Sequence, residues 1–269
     1  MANSATNSND ATLPDAPSNA PVVLITGAAK RIGRTIALTM AQRGWDVAIH
    51  YHQSETEARQ LELEIVALGR RAMCVPGNLA DQDAVSRLIP CVVSGLGSVQ
   101  CVVNNASVFE VDSAASFSQA MLDLHMHINL AAPVLLAQAL HAATPKDKQA
   151  SVINILDQKI LNLNPDFFSY TLSKAALQCA TTTLAQALAP TVRVVGLAPG
   201  TTLPSIHQDA DNFAKTHQLA ALDQSSTPQD IADAVHYLAT ARAVTGTILA
   251  VDGGQHLIPL TRDVMYVVN

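Results

Sequence analysis

The chain of 269 residues is 49 % apolar and 14 % charged, enough to build one large α/β domain around a deep core. Its formal net charge of −6 argues against a general nucleic-acid binder, which would carry a basic face. Neither a secretory leader nor a membrane-spanning run is expected, and the four scattered cysteines (Cys74, Cys91, Cys101, Cys179) lack metal-ligand spacing, so a cytoplasmic protein with buried, reduced thiols and no metal is expected.

Residues 1–19 are Asn, Ser, Ala, Asp and Pro without periodicity and read as a disordered tail, leaving 20–269 as a single domain. Pro21 to Ile25 is short, apolar and β-branched, as a central parallel strand requires. Thr26-Gly27-Ala28-Ala29-Lys30-Arg31-Ile32-Gly33 follows at once, and residues 34–43 repeat apolar side chains at helical spacing up to Gly44. Strand, glycine turn and helix form the arrangement that holds a dinucleotide pyrophosphate. Gly27 permits the tight turn, Gly33 lets the helix approach the strand, and N–H groups at the helix start face the phosphates. An ordinary βα turn shares this outline.

Asp46 to His50 is the second strand, ending in His50-Tyr51-His52-Gln53-Ser54. An acidic residue there would bind the ribose 2′-OH of NAD and repel a 2′-phosphate. None is present, and Lys30, Arg31 and Ser54 are at hand, so NADPH/NADP is expected over NAD. After a helix over 55–68, a third strand (71–75) runs into Pro76-Gly77-Asn78-Leu79, where Asn78 can touch an adenine or cap the next helix. That helix covers 81–94, and Pro90 is expected to end or bend it. A fourth strand (99–103) leads to Asn104-Asn105-Ala106-Ser107-Val108-Phe109, at the carboxyl edge where open α/β sheets bind ligands. Residues 118–143 read as a long helical region that Pro133 kinks or restarts. His125 and His127, two apart on it, face different ways and make no metal pair.

A fifth strand (151–156) leads to Asp157-Gln158-Lys159 and then to a helix running to about 189. On that helix Tyr170 and Lys174 share one face, where the ammonium can favour the phenolate, lower the tyrosine pKa and make it a proton donor near neutral pH. The spacing alone fits a surface pair on an amphipathic helix as well. A sixth strand (192–197) ends in Ala198-Pro199-Gly200-Thr201-Thr202, and 203–226 is long enough to read as a mobile substrate lid with some helix. Thr227-Pro228 starts a further helix, and 246–251 is a seventh strand. The pattern predicts one Rossmann-like, doubly wound α/β domain: a seven-stranded parallel sheet with helices on both faces.

Six stretches now stand in order: Thr26-Gly27-x-x-x-x-x-Gly33, Asn104-Asn105-Ala106, Asn129, Tyr170-x-x-x-Lys174, Pro199-Gly200 and Val251-Asp252-Gly253-Gly254. With them the chain resembles the short-chain dehydrogenase/reductase family from about Val22 to Gly254. The resemblance implies that Tyr170 delivers a proton, that Lys174 tunes it and holds the nicotinamide ribose, and that Asn129 positions a water on the proton path. It implies cofactor contacts at Gly27, Lys30, Arg31, Ile32 and Gly33, and at His50, Tyr51, His52 and Ser54. Further contacts are implied at Asn78 and Leu79, at Asn105, Ala106 and Ser107, and at Pro199, Gly200 and Thr202. A homotetramer is implied too, with residues 255–269 packing near a neighbour's site.

Three departures refine this. Arg31 stands at the middle glycine of the family turn, Asp157 stands where a serine normally orients a carbonyl, and Phe109 follows the Asn-Asn-Ala-Ser stretch. Together they are similar to the pteridine reductase branch, which includes dihydrobiopterin, dihydromonapterin and some dihydrofolate reductases. A pterin is a flat, electron-poor ring that Phe109 can stack against the nicotinamide. Reducing its C=N takes a hydride at carbon and a proton at nitrogen, which Asp157 beside Tyr170 can pass. Arg31 can fork to the pyrophosphate and to a pterin carbonyl. Gln53 stands where branch members often have arginine, which weakens the grip on a 2′-phosphate. The implied function is NADPH-dependent reduction of a pterin or folate. A carbonyl or alcohol reductase and a non-catalytic nucleotide-sensing module are the alternatives.

Overall fold

The computed structural model describes residues 19–205 and 208–268; the expected tail over residues 1–19 lies outside these, Asn19 excepted. All four residues of β1 (Val22–Ile25) are buried, as a strand covered on both faces must be. Val23 and Ile25 enter one core layer and Val22 and Leu24 the other, because successive side chains on a strand alternate faces. α1 (Arg31–Gln42), β2 (Asp46–Tyr51), α2 (Glu55–Ala67), β3 (Ala72–Pro76), α3 (Gln82–Leu96) and β4 (Val99–Asn104) follow. Then come α4 (Gln119–Met126), a π-helical turn (His127–Ala131), α5 (Ala132–Ala143), β5 (Ala150–Ile155), α6 (Phe168–Leu188) and β6 (Val192–Pro199). The chain closes with α7 (Ala210–Gln218), α8 (Pro228–Thr240), β7 (Ile248–Val251) and α9 (Val264–Val267).

The sheet is parallel throughout, in the order β3-β2-β1-β4-β5-β6-β7. One core layer packs Ile36 and Met40 of α1, Leu61 of α2 and Val235 of α8 against it; the other packs Leu88 of α3 and Leu136 of α5. This is the Rossmann-like α/β fold expected. The winding reverses between β1 and β4, which opens a crevice at the carboxyl ends of those strands, where such sheets bind ligands.

Two prolines act differently from expectation. α3 continues through Pro90 and ends at Gly97, whose φ of +98° suits only glycine. Pro90 and Ser86, whose carbonyl loses its i+4 donor, both lie on the exposed face of the helix, where water can take that carbonyl. Pro133 sits in the first turn of α5, and the disturbance falls before it. It has no N–H for the carbonyl of Asn129, and the preceding turn widens to the π form. Contrary to the expectation from sequence, the stretch Gln119–Ala143 is long and apolar enough to cross a membrane by length and composition alone. Here its Leu136, Ala137 and Leu140 pack with Val102 and Val152 of the sheet. Only Cys101 among the thiols is buried; Cys91 and Cys179 lie on the exposed faces of α3 and α6, and Cys74 is half-buried. In the apolar tail Val264 and Met265 are buried, Met265 joining Phe167 and Tyr170 in a small cluster, while Tyr266 and Val267 are exposed.

Candidate active site

At the crevice, β1 gives way to Gly27 at φ +61°, and a Cβ on Gly33 would lie 2.3 Å from the Gly27 carbonyl oxygen. Only glycine permits that approach of α1 to the turn. Asn105 braces the turn from β4, its Nδ2 donating to the carbonyls of Thr26 (2.9 Å) and Gly27 (3.2 Å). Its backbone N–H and that of Ala106 both reach Thr26 Oγ1. Asn105 therefore shapes the cradle with its side chain, a role its type concealed. α1 has no side-chain cap at Lys30, so its first N–H groups stay available to an anion. These features fit a pyrophosphate.

His50 stands behind this turn. Its Nδ1 accepts the Gly27 N–H (3.2 Å), so Nε2 carries the proton and donates to Gly77 O (3.2 Å). Burial lowers its pKa to about 4, with help from His52. His50 thus supports the cradle from the core. The unfolded chain protonates His50 near pH 6.5 and the folded one only near 4, so between those values unfolding takes up a proton. The stability this neutral ring contributes is full above about pH 6.5 and falls by about 2–3 kcal/mol as pH drops toward 4. His50→Asn keeps an acceptor for Gly27 and should flatten that part of the stability–pH curve measured by urea unfolding. An unchanged slope would assign the acid loss to other groups.

Beyond the tip of β2, Gly27, Lys30, Tyr51, His52 and Ser54 line a cavity of about 260 Å³. Lys30 pairs there with Glu57 of α2 (2.7 Å), an acidic neighbour that the strand-tip argument missed. Asn78 accepts from Ala80 N (3.0 Å), and Asp81, not Asn78, caps α3. Leu79 is buried in the core.

A second cavity, of about 290 Å³, lies over the ends of β5 and β6; Arg31, Ile32, Ser107, Phe109, Asp157, Lys174 and Pro199 are among its lining residues. Tyr170 Oη donates to Asp157 Oδ2 at 2.7 Å. Asp157 Oδ1 accepts the Lys159 N–H (2.8 Å), so this carboxylate also caps the 3-10 turn Gln158–Leu161. Lys174 Nζ donates to the carbonyl of Ile155 (2.8 Å) and sits 5.7 Å from the Tyr170 ring centre. An ammonium has three donors, and the cavity beside it is where a ribose diol can take the others.

The electrostatics correct one expectation. Burial and the facing Asp157 hold the Tyr170 phenol well above its usual range, where the helix spacing to Lys174 predicts a lowering. Lys174 itself is pushed down to about 8 by burial. Burial also raises Asp157, partly offset by the bonds from Lys159 and Tyr170. Burial thus pushes both groups of the pair toward their protonated forms.

Asn129 has a structural role in its side chain. Its Oδ1 accepts from Val108 N (2.9 Å) and Ser107 Oγ (3.2 Å), while Nδ2 donates to Val108 O (3.0 Å) and Ser173 Oγ (3.0 Å). Those four bonds occupy the side-chain amide, which braces the 107–109 loop against α6. The loop presents Phe109, stacked at 4.2 Å on Phe167 and edge-on to Tyr170 at 4.7 Å. Phe167 backs the aromatic wall and no sequence motif marks it.

Leu203, Ser205 and Gln208, with Asp263 and Met265 of the tail, complete the cavity. Arg31, at φ +53° as α1 begins, donates to Pro204 O (2.9 Å). Thr202 is buried and bonds Gly200 O and Ser226 Oγ, tying together the two ends of the segment that holds α7. Asn212 of α7 donates to Met265 O (2.9 Å), and Asp263 pairs with the buried Lys159 (2.9 Å).

A family model described as enoyl-(acyl carrier protein) reductase matches residues 27–256. A 3-oxoacyl-[acyl-carrier-protein] reductase of Synechocystis sp. is 32 % identical over 243 residues, 87 % of this chain and 96 % of that protein. The crystal structure of FolM alternative dihydrofolate reductase 1 from Brucella canis, complexed with NADP, superposes with a TM-score of 0.87 at 40 % identity, covering 90 % of this chain and 96 % of that one. Its counterpart from Brucella suis, also in complex with NADP, gives 0.84 at 39 % identity over 91 % and 98 % of the two chains.

Proposed function

Because the chain belongs to the short-chain dehydrogenase/reductase family of NAD(P)-dependent oxidoreductases, we propose that it reduces a ring C=N of a dihydropterin or dihydrofolate with NADPH. The observation that carries this reading is the 2.7 Å bond between Tyr170 and Asp157 on the cavity floor. A carboxyl beside Tyr170 can pass a proton to a ring nitrogen, whereas in its ionised form it would repel the oxyanion developing from a carbonyl. The two Brucella proteins, alternative dihydrofolate reductases in complex with NADP, support both the substrate class and NADP.

NADPH, when bound, supplies the hydride. The uncapped start of α1 and the Gly27–Gly33 cradle would hold its pyrophosphate, and Lys174 its nicotinamide ribose. His52 and Ser54, with Lys30 paired to Glu57, line the cavity that would take a 2′-phosphate. Phe109, fixed from behind by Phe167, offers a flat apolar face to the pterin. Arg31 can donate to a pterin carbonyl while its other N–H holds Pro204 and so the lid. Asp157 releases its proton to the ring nitrogen, and Tyr170 Oη, already bonded to Oδ2, passes the replacement. The Asp157 bond to Lys159 N keeps the carboxyl aimed throughout.

The test is NADPH consumption with dihydrobiopterin, dihydrofolate and a panel of carbonyl compounds including a 3-oxoacyl thioester, with NADH run in parallel. Turnover is expected with a dihydropterin or dihydrofolate, and faster with NADPH than with NADH. Turnover confined to carbonyls would overturn the reading in favour of chemistry like that of the Synechocystis relative. Tight NADPH binding without any turnover would favour a nucleotide sensor.

A further inference from the structure

Lys159 is 2 % exposed, and three carboxylates surround it. Asp157 lies two residues before it, Asp166 lies on the loop before α6, and Asp263 arrives on the carboxyl-terminal segment, 104 residues away. Arg262 takes Asp166 through a two-pronged contact (2.8 Å to each oxygen). Asp263 takes the Lys159 ammonium at 2.9 Å, with Asn164 as its second partner. Asp157 then has the Lys159 backbone N–H on one oxygen and Tyr170 on the other.

We propose that Asp263 is a positioning residue of this site: it occupies the Lys159 ammonium and so leaves the Asp157 carboxyl to Tyr170 and the substrate. The inference rests on the assignment of Asp157 as the proton carrier. Lys159 has a flexible four-carbon stem and lines the same cavity as Asp157, so without Asp263 the carboxylate left lining that cavity to balance its charge is Asp157. The titratable groups facing that cavity are Arg31 from α1, Tyr170 and Lys174 from α6, Asp157 and Lys159 after β5, and Asp263. Asp157 and Asp263 share one side of the balance with Lys159 on the other. Deleting either member of the Lys159–Asp263 pair therefore moves Asp157 in opposite senses, and deleting both leaves it nearly where it began. Docking of the carboxyl-terminal segment thereby sets the protonation of a group over a hundred residues earlier.

The experiment is a carbon-13 carboxyl titration of Asp157 in the full chain, assigned with Asp157→Asn, alongside the pH profile of dihydropterin turnover. Asp263→Asn should lower the Asp157 midpoint by about one pH unit and shift the alkaline limb of turnover down with it. Lys159→Met should raise the midpoint, and the double variant, which leaves no unpaired buried charge and is the best placed to fold, should return it to that of the parent. Unchanged midpoints in the single variants, or a double variant displaced as far as Asp263→Asn, would overturn the proposal. The titration needs no substrate. An inactive parent enzyme would sink the proposed function alone, and an active one with immobile midpoints would sink this inference alone.

Discussion

Asp157→Asn is expected to lower dihydropterin turnover by about 10²–10⁴-fold while NADPH affinity stays nearly unchanged. Asparagine matches the shape of aspartate, and its one oxygen can keep the bond from Lys159 N that caps the 3-10 turn. Its amide then faces Tyr170, and Tyr170 must accept where it now donates. The variant therefore keeps the turn and the packing but has no proton to give. The cofactor cradle is built from other residues, Gly27, Gly33 and Asn105, so binding of NADPH followed by fluorescence should scarcely move. The measurement is kcat with dihydrobiopterin or dihydrofolate beside the NADPH titration. Equal turnover would remove Asp157 from the proton path. A parallel loss of NADPH affinity would mean that the site had collapsed rather than lost its acid.

The βα turn was legible because everything that makes it is local. A β-branched run, Gly27, Gly33 and a helical repeat occur within about twenty residues, and the physics of the turn needs nothing else. Asp157 was legible for a different reason: it breaks a local pattern at a position whose chemistry is understood. What sequence could not place were groups whose meaning comes from distant partners. Lys159 looks like a surface lysine until Asp263 arrives from the far end of the chain. Phe167 looks like a loop residue until Phe109 stacks on it. Glu57 reads as an acidic start to α2, yet it neutralises the lysine expected to greet a 2′-phosphate.

The Tyr170 electrostatics shows the same limit in sharper form. Helical spacing places Lys174 one turn away and predicts a lowered pKa. Once folded, burial raises it and a carboxyl group thirteen residues earlier adds to that, so the sign reverses. Asn129 likewise needed the π turn, which Pro133 provokes, to aim its amide at the 107–109 loop. Periodicity assigns a residue to an element, but not the partner that will exhaust its hydrogen bonds.

Gly33→Ala is expected to cost about 3 kcal/mol of stability and at least tenfold in NADPH affinity. The new methyl would meet Gly27 O at 2.3 Å, Asn105 Nδ2 at 2.7 Å and Ala28 Cα at 3.0 Å. Two of these are backbone atoms, so no side chain can swing away to make room, and α1 and the turn must separate. Separation strains the Gly27 carbonyl bond to Asn105 and the Gly27 N–H bond to His50, which together fix the cradle. The first N–H groups of α1 then lose their common focus on the pyrophosphate. Gly44→Ala provides the control. Gly44 also has a positive φ, +90°, but a Cβ there would meet nothing within 4 Å. Its cost is backbone strain of about 1–2 kcal/mol, with NADPH affinity intact. Urea unfolding and an NADPH titration on both variants separate strain from collision. If Gly33→Ala binds NADPH as tightly as Gly44→Ala does, the coenzyme does not rest on this turn.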